Sequence, residues 1–316
     1  MPVAVRASEL LAHHRANGRP LAAAERLRFT GVDGLDVYNV SGVFTHVDAT
    51  GPRTLIAGRV EARDSENATV VVFAEGDDGA WSPLPGAQRL TLQDPFVFHH
   101  AGVRNLGGVE ISETTIDGAP GPRWRTIIFD HSDPADPSVV FEGPWGMKDL
   151  RFVDLADGRL GVFTRPQGGA DGRGRIGFTI VDSLAALTIA AIDAAPRLAA
   201  LFVSEEWGGV NHAWLLDDGR LGLLGHIARF DDAGDRHYYA MVLELDPVGL
   251  EHTAPRILFE RRDLPPGEAK RPDLADVVFP GWVDTAAPAP TVYCGVSDAE
   301  AYRVQVDAAL LATVAG

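Results

Sequence analysis

Two segments of the sequence are almost alike: LADGRLGVF at residues 155–163 and LDDGRLGLL at residues 216–224. In both, an Asp-Gly pair, typical of a tight turn between antiparallel strands, precedes an apolar strand-like run. A polar cluster lies upstream of each copy, MKDLR at 147–151 and GVNHAW at 209–214. Such self-similarity at a spacing of about sixty residues predicts a repeat architecture.

The pattern recurs three more times in weaker form, in DVYNVSGVF, LQDPFVFHHAG and RPDLADVVFPG. The polar residues that mark the five copies are separated by 55, 55, 62 and 65 residues, in the order Asn39, Asp94, Asp149, Asn211 and Asp276. Short segments rich in Val, Ile, Phe and Tyr, without long helical crossovers, predict an all-β fold. We therefore expect residues 1–316 to form a single five-bladed β-propeller.

Helix is expected only at the ends of the chain and in one connection. Ser8 is a suitable N-cap for ELLAHHRANG, so residues 1–25 predict a short helical extension that packs outside the ring. The segment RLRFTG at 26–31 predicts the strand that joins the last blade and closes the ring. The stretch 183–202, with its alanines and Pro196, predicts a partly helical link between the third and fourth blades.

The charge balance argues against nucleic acid and membrane surfaces as partners. The chain has 28 Lys and Arg against 44 Asp and Glu, and its net charge of −16 repels phosphate backbones and anionic lipids. It has no apolar run that could cross a bilayer and no segment typical of a secretory signal, so we expect a cytoplasmic protein. Its single cysteine, Cys294, excludes an internal disulfide.

The sequence lacks the motifs of several enzyme classes. It has no GxxxxGK[ST], HExxH or GxSxG, which are typical of nucleotide-binding loops, zinc peptidases and serine hydrolases. The glycine-rich stretch RPQGGADGRGR at 165–175 has no strand-loop-helix context and predicts a mobile hairpin loop. No spacing of ligand residues indicates a metal, so we predict neither a metal site nor a cofactor.

The inner strands of a propeller run beside its central axis, so the residues that begin them ring one mouth of the channel. Carboxylates at matching positions of three repeats, Asp94, Asp149 and Asp276, therefore indicate a catalytic group. We expect a structural role for three further ionisable residues, Glu110, Asp298 and His100.

Groups of both charges beside those carboxylates suit a polyhydroxylated ligand, which needs hydrogen-bond donors as well as acceptors. An aromatic face, such as that of Trp207, is a common platform for a sugar ring. The predicted ligand-binding residues are Asn39, Arg59, Glu61, Lys148, Arg151, Arg165, Trp207, Asn211, His212, His226, Lys270, Arg271 and Asp273.

Three motifs in succession, GRVEARDSE, LQDPF and MKDLRFVDLADGRLGVFTRP, resemble the inner-strand series of glycoside hydrolase family 130. That family contains mannoside phosphorylases and mannosidases built on five-bladed propellers. Nearly the whole chain also resembles a bacterial glycosidase family without assigned function, through motifs such as EWGG, RHYY, KRPDL and GVSD.

The resemblance to family 130 implies roles for individual residues. The acid of the family motif EDPR falls on Asp94, which would donate the proton, while Arg59 and Glu61 would hold sugar hydroxyls. Lys148 and Asp149 would lie opposite them in the pocket. The sequence departs from the motif on both sides of Asp94, because Gln93 replaces the Glu and Phe96 replaces the Arg.

These residues predict a glycosidase that acts on a small carbohydrate by inverting hydrolysis, with Asp94 as general acid and Asp149 or Asp276 as base. A first alternative is a phosphorylase, in which inorganic phosphate replaces the base and binds a cationic niche. A second alternative is a sugar-binding propeller without catalysis. The residues that could form the niche are Arg59, Lys148, Arg151, Arg165, His226, Lys270 and Arg271.

Overall fold

The computed structural model describes residues 4–49, 51–116, 119–287 and 289–311, with the backbone alone at 114–116 and 119–120. Its strands are β1 (Ala23–Arg26), β2 (Arg28–Phe29), β3 (Asp36–Tyr38), β4 (Phe44–Asp48), β5 (Gly51–Glu61), β6 (Thr69–Glu75), β7 (Ala80–Pro83), β8 (Gln93–His100), β9 (Val103–Ile116), β10 (Ala119–Asp130), β11 (Ser138–Glu142), β12 (Arg151–Asp154), β13 (Leu160–Thr164), β14 (Gly177–Val181), β15 (Trp207–Leu215), β16 (Leu221–Phe230), β17 (Arg236–Leu245), β18 (Arg256–Phe259), β19 (Asp276–Asp284), β20 (Thr291–Val296) and β21 (Glu300–Gln305). The helices are α1 (Ala7–Asn17), α2 (Ile189–Asp193) and α3 (Ala308–Leu311), with 3-10 turns at Gly169–Asp171, Leu184–Ala186, Arg261–Asp263 and Pro272–Leu274.

Antiparallel pairing groups these strands into successive units: β3–β7, β8–β11, β12–β14, β15–β18, and β19–β21 with β1. Neighbouring units contact one another through inner strands: β5 contacts β8, and β12 contacts both β8 and β15. The series continues from β15 to β19, and β20 and β21 pack against β3, so the units close a ring. The all-β class is therefore confirmed.

The ring closes through a segment slightly earlier than the one predicted. Residues 23–26, as β1, pair antiparallel with β21 of the last unit. The predicted segment at 26–31 instead contributes β2, which pairs in parallel with β7 of the first unit. The N-terminal strand pair thus links the last unit to the first.

The helical segments follow the prediction, except for the cap of α1. The N-cap residue is Arg6 rather than Ser8, and its side chain makes no capping bond. Both oxygens of Glu206 instead accept from the amide of Ala7, at 2.9 and 3.0 Å. α1 packs outside the ring against β16 and β18, and α2 lies within the predicted link at 183–202. No described helix has the length and apolar character that crossing a bilayer requires.

The positions that mark the repeats share an unusual backbone geometry. Asn39, Asp94 and Asp149 all have left-handed conformations, with φ of 44°, 50° and 64°. In the fourth unit the pairing register shifts at Asn211, and in the fifth it shifts at Gly281. These irregularities aim one residue of each inner strand away from the regular pleat.

Asp276 begins β19, as predicted for the start of an inner strand, but the irregularity of the fifth unit falls at Gly281. A Cβ at Gly281 would lie 2.1 Å from the carbonyl oxygen of Val40, so only glycine fits where the last unit meets the first. Asp276 lies five residues earlier, at the start of β19, where it pairs in parallel with His237.

Candidate active site

Asp94 occupies the bulge of β8 and is 5% exposed. Its Oδ1 accepts hydrogen bonds from Asn39 Nδ2 at 2.8 Å and from Arg59 Nη1 at 3.1 Å. Burial alone would raise the pKa of Asp94, but the charges of Arg59 and Lys148 outweigh burial and hold it below its usual value. Asp94 is therefore ionised at neutral pH.

Beneath Asp94, a buried ionic network holds Arg59 in place. Nη2 of Arg59 donates to both oxygens of Glu61, at 3.2 and 3.0 Å. The ammonium of Lys270 and the hydroxyl of Tyr38 also donate to Glu61, and the Lys270 side chain is only 3% exposed. Glu61 and Lys270, predicted to bind ligand, are thus already paired with protein groups and position Arg59 instead.

Asp298 is a carboxyl group of this site for which the sequence predicted only a structural role. It lies in the turn between β20 and β21, where Ser297 and Asp298 both have left-handed backbones. The amide of Ser297 donates to Val277, and the carbonyl of Ser297 accepts from Lys270, both on neighbouring segments. Burial raises the pKa of Asp298 to about 6 against the pull of Arg59, and the charge of Asp94 adds to the rise.

A cavity of about 360 Å³ opens beside Asp149. Nη1 of Arg165 donates to Asp149 Oδ2 at 3.0 Å, while Oδ1 is buried without a hydrogen-bond partner among the described residues. Burial opposes the ionisation of Asp149, but Lys148 and Arg165 hold its pKa well below the usual range. The charged residues that line the cavity are Lys148, Asp149, Arg165, Arg173 and Arg236.

This cavity is locally cationic in a strongly acidic protein. Within the described part of the chain, Lys148 and Arg173 have no carboxylate within ion-pair distance. The guanidinium of Arg173 lies 4.6 Å from the ring centre of Phe230 and 5.5 Å from that of Trp207, so aromatic faces hold it at the wall. With four cations to one carboxylate, the cavity attracts anions.

His226 contributes a neutral hydrogen-bonding group to the wall. Its Nδ1 forms a hydrogen bond with the side-chain amide of Asn211, with Nδ1 and Oδ1 2.8 Å apart. Burial and the charge of Arg165 lower the pKa of His226 to about 3. The ring lies between Tyr238 and Phe279, with centroids 5.4 and 5.2 Å away.

The chain resembles known proteins over nearly its whole length. The model of a family described as a protein of unknown function, DUF1861, matches residues 13–310. The chain belongs to the DUF1861 family. A search of curated proteins gives no significant match.

Two solved structures from Leishmania mexicana resemble this DUF1861 chain over nearly its whole length. MPT-4, a mannose phosphorylase in complex with a phosphate ion, is 31% identical with a TM-score of 0.85, and the alignment covers 98% of this chain and 96% of MPT-4. MPT-1, a GDP-Man-dependent mannosyltransferase, is 27% identical with a TM-score of 0.83, and the alignment covers 96% and 95% of the two chains.

A third structure represents the GH130 family of mannoside phosphorylases, which contains glycoside hydrolases that target β-1,2 mannosidic linkages in Candida mannan. It is 12% identical with a TM-score of 0.59, and the alignment covers 94% of this chain and 97% of the other. The resemblance to family 130 is confirmed at the level of the fold. The 31% identity to MPT-4, over nearly the whole chain, makes this DUF1861 protein a carbohydrate-active enzyme.

Several predicted ligand-binding residues of the DUF1861 chain do line the cavity. They are Lys148, Arg165, Trp207 and His226, together with the predicted catalytic residue Asp149. Trp207 donates from Nε1 to the hydroxyl of Tyr238 at 3.1 Å, which fixes the indole in the wall. Asn39 and Asn211 lie one layer behind, where they bond Asp94 and His226.

Other predicted residues have structural partners instead. Arg151 donates to the carbonyls of Asn211 and Leu150 at 3.0 and 2.9 Å, and its guanidinium lies 4.0 Å from the ring centre of Phe96. Phe96, which replaces the arginine of the family motif, therefore packs against an arginine from the next unit. His212 packs between Trp214 and Trp282 and is absent from the cavity lining.

The remaining predicted residues lie at or beyond the rim. Arg271 bonds Glu66 at 2.9 Å and Asp273 at 3.1 Å, and Asp273 also pairs with Arg236 of the cavity wall. Asp276 accepts from His237 at 2.6 Å and does not line the cavity. The assignment of Asp276 as a catalytic base has no support in this arrangement.

Sequence reasoning missed Arg173 and Arg236. Arg173 belongs to the glycine-rich stretch at 165–175, whose 3-10 turn, Gly169–Asp171, brings it to the cavity wall. Arg236 begins β17 and is the first residue of the RHYY motif, which was the available signal. Among the described residues, one group of side chains lies close enough together to hold a metal ion: His14 of α1 with Glu260 and Asp263. Both carboxylate oxygens of Glu260, however, already accept hydrogen bonds from Arg15.

Proposed function

We propose that this DUF1861 protein is a glycoside phosphorylase that transfers a mannosyl group between a mannoside and inorganic phosphate. The observation that carries the proposal is the cationic cavity, in which only Asp149 opposes the charges of Lys148, Arg165, Arg173 and Arg236. Guanidinium and ammonium groups are the usual ligands of phosphate in proteins. The 31% identity to a mannose phosphorylase that was solved with phosphate supports the same function.

In this mechanism a phosphate oxygen attacks the anomeric carbon while the bond from that carbon to the leaving oxygen breaks. The leaving oxygen takes a proton from a carboxylic acid, and the sugar leaves as a 1-phosphate. Because phosphate is itself the nucleophile, no protein base is required. Asp149, predicted as a base, instead holds Arg165 against the cavity.

Two neighbouring carboxyl groups whose pKa values are shifted in opposite directions can act one as a proton donor and the other as a stabilising anion. The sequence predicted Asp94 as the proton donor, but its lowered pKa favours the carboxylate form, which suits stabilisation of positive charge at the anomeric carbon. Asp298, with a pKa of about 6, retains a proton under mildly acidic conditions. We therefore assign the proton donor to Asp298 and the stabilising anion to Asp94.

Inverting hydrolysis remains the second candidate function, and one observation favours it. Asp149 Oδ1 is buried without a hydrogen-bond partner among the described residues, so it could accept a proton from an attacking water. Its lowered pKa makes it a weak base, however, and Lys148 beside it favours an anion over water.

The test incubates the purified protein with manno-oligosaccharides of several linkages, with and without inorganic phosphate. We expect mannose 1-phosphate to form, and the oligosaccharide to remain intact when phosphate is withheld. A parallel reaction supplies GDP-mannose as donor, from which we expect no transfer. Release of free mannose at the same rate without phosphate would instead establish hydrolysis.

A further inference from the structure

A second cavity, of about 640 Å³, adjoins the phosphate cavity. One side is the segment before and at the start of β6, including Glu66 and Thr69, and the other is the long hairpin of β9 and β10, including Glu113. Gln93, Val109 and Ile111 line both cavities, so they form a shared wall. We call this second cavity the hairpin groove.

The lining of the hairpin groove differs in charge from that of the phosphate cavity. No cation lines it within the described residues, and its charged members are Glu113 and Glu66, which pairs with Lys270 and Arg271 at 3.1 and 2.9 Å. The side chains of Asn67, Thr69 and Thr91 add neutral hydrogen-bonding groups. An anion would find no cation among the described lining residues, whereas a neutral polyol would find both donors and acceptors.

Apolar surface lies between these polar groups. Leu92, Val109 and Pro122 line the hairpin groove, and Ile111 is 44% exposed. A pocket in which a few polar groups interrupt apolar surface is typical of small-molecule sites, and a volume of about 640 Å³ lies within their usual range of roughly 300–1,000 Å³. The C–H faces of sugar rings pack on such surfaces while their hydroxyls bond the polar groups.

The wall shared by the two cavities adjoins Asp94 through Gln93. Gln93 directly precedes Asp94, and its amide donates to the carbonyl of Glu66 at 3.1 Å, which ties β8 to one side of the hairpin groove. In a displacement with inversion, the nucleophile and the leaving group lie on opposite faces of the anomeric carbon. With phosphate in the cationic cavity, the leaving group points toward the hairpin groove.

We propose that the hairpin groove binds the leaving-group side of the substrate, as a neutral oligosaccharide of more than one sugar unit. This inference rests on the proposed function and specifies its substrate as an oligomannoside rather than a mannosyl monosaccharide. Gln93 stands where the family 130 motif has a glutamate. Its side-chain amide can therefore donate a hydrogen bond to the carbonyl of Glu66 in the groove wall, which a glutamate carboxylate could not do.

The test measures equilibrium binding of manno-oligosaccharides of two to five units, in α- and β-linked series, by calorimetry without phosphate. We expect the affinity of at least one series to rise about tenfold from two to four units, the effect of one or two added hydrogen bonds. Thr91→Trp, at an exposed groove position, should abolish this rise. Thr45→Trp, at an exposed position of β4 outside the groove, should keep it.

The proposal is overturned if affinity is independent of length in every series, or if Thr91→Trp keeps the full rise. Thermal unfolding of both variants verifies that each is folded. Since binding is measured without phosphate, the two proposals fail separately. Length-dependent binding without phosphorolysis would overturn the proposed function alone, and phosphorolysis without length dependence would overturn the groove alone.

Discussion

Asp298→Asn should reduce kcat for phosphorolysis by about 10²–10⁴-fold, the usual contribution of general acid catalysis. Asparagine keeps the size of the side chain and can still form hydrogen bonds, but it has no proton to give to the leaving oxygen. Steady-state rates at saturating phosphate and oligosaccharide measure the effect. The variant should bind oligosaccharide as well as the wild type does.

The pKa of Asp298 also predicts how kcat changes with pH. Asp298 has a pKa of about 6, so the fraction that carries a proton falls as the pH rises through this value. We expect kcat of the wild type to decrease over that interval and the decrease to be missing in Asp298→Asn. Any change caused by the ionisation of phosphate itself is common to both proteins.

Asp276→Asn is the matched control, because Asp276 bonds His237 and is not among the charges that shift the pKa of Asp94 or Asp298. It should change kcat by less than about twofold, since substitutions away from the site have small effects. A severe loss in Asp276→Asn together with a mild one in Asp298→Asn would contradict our assignment of the acid and would restore Asp276 as the base predicted from the sequence.

Lys270→Met should lower the free energy of unfolding by about 3 kcal/mol, because removal of one partner of a buried ion pair leaves the other under-compensated. Glu61 is fully buried and keeps only Arg59 and Tyr38 in the variant, which is why we expect the lower end of the usual range. Urea denaturation followed by tryptophan fluorescence measures the change.

Arg271→Met provides the comparison at the adjacent position. The Arg271 side chain is 44% exposed, and its pairs with Glu66 and Asp273 lie at the surface, so its loss should cost less than about 1 kcal/mol. Equal stability of Lys270→Met and wild type, with weakened oligosaccharide binding, would show that Lys270 contacts ligand as the sequence analysis predicted.

The repeat pattern was enough to predict the class of fold, because the Asp-Gly turns and the apolar segments after them are local features. It did not indicate where the last inner strand is irregular, since Gly281 carries no polar side chain. What requires glycine there is the close approach of the first unit to the last, at Val40. Such contacts between the ends of the chain leave no local signal.

The site was predictable only in part, for a similar reason. Asp94 lies on an inner strand, and Lys148 and Asp149 directly precede one, so the repeat aligned them. Asp298 lies in a turn of the last unit, and its raised pKa depends on burial and on Arg59 and Asp94, which come from the first two units. Likewise, the net charge of −16 gave no indication that cations would converge in one cavity.

Titration of the protein with inorganic phosphate, by calorimetry, tests the central claim most directly. We expect one phosphate per chain, and binding at least about tenfold weaker in Lys148→Met, the effect of one lost hydrogen bond to a charged group. Arg28→Met, which removes an exposed cation of β2, should bind as the wild type does. Phosphate binding that is equally strong in all three proteins, or missing from the wild type, would contradict the account.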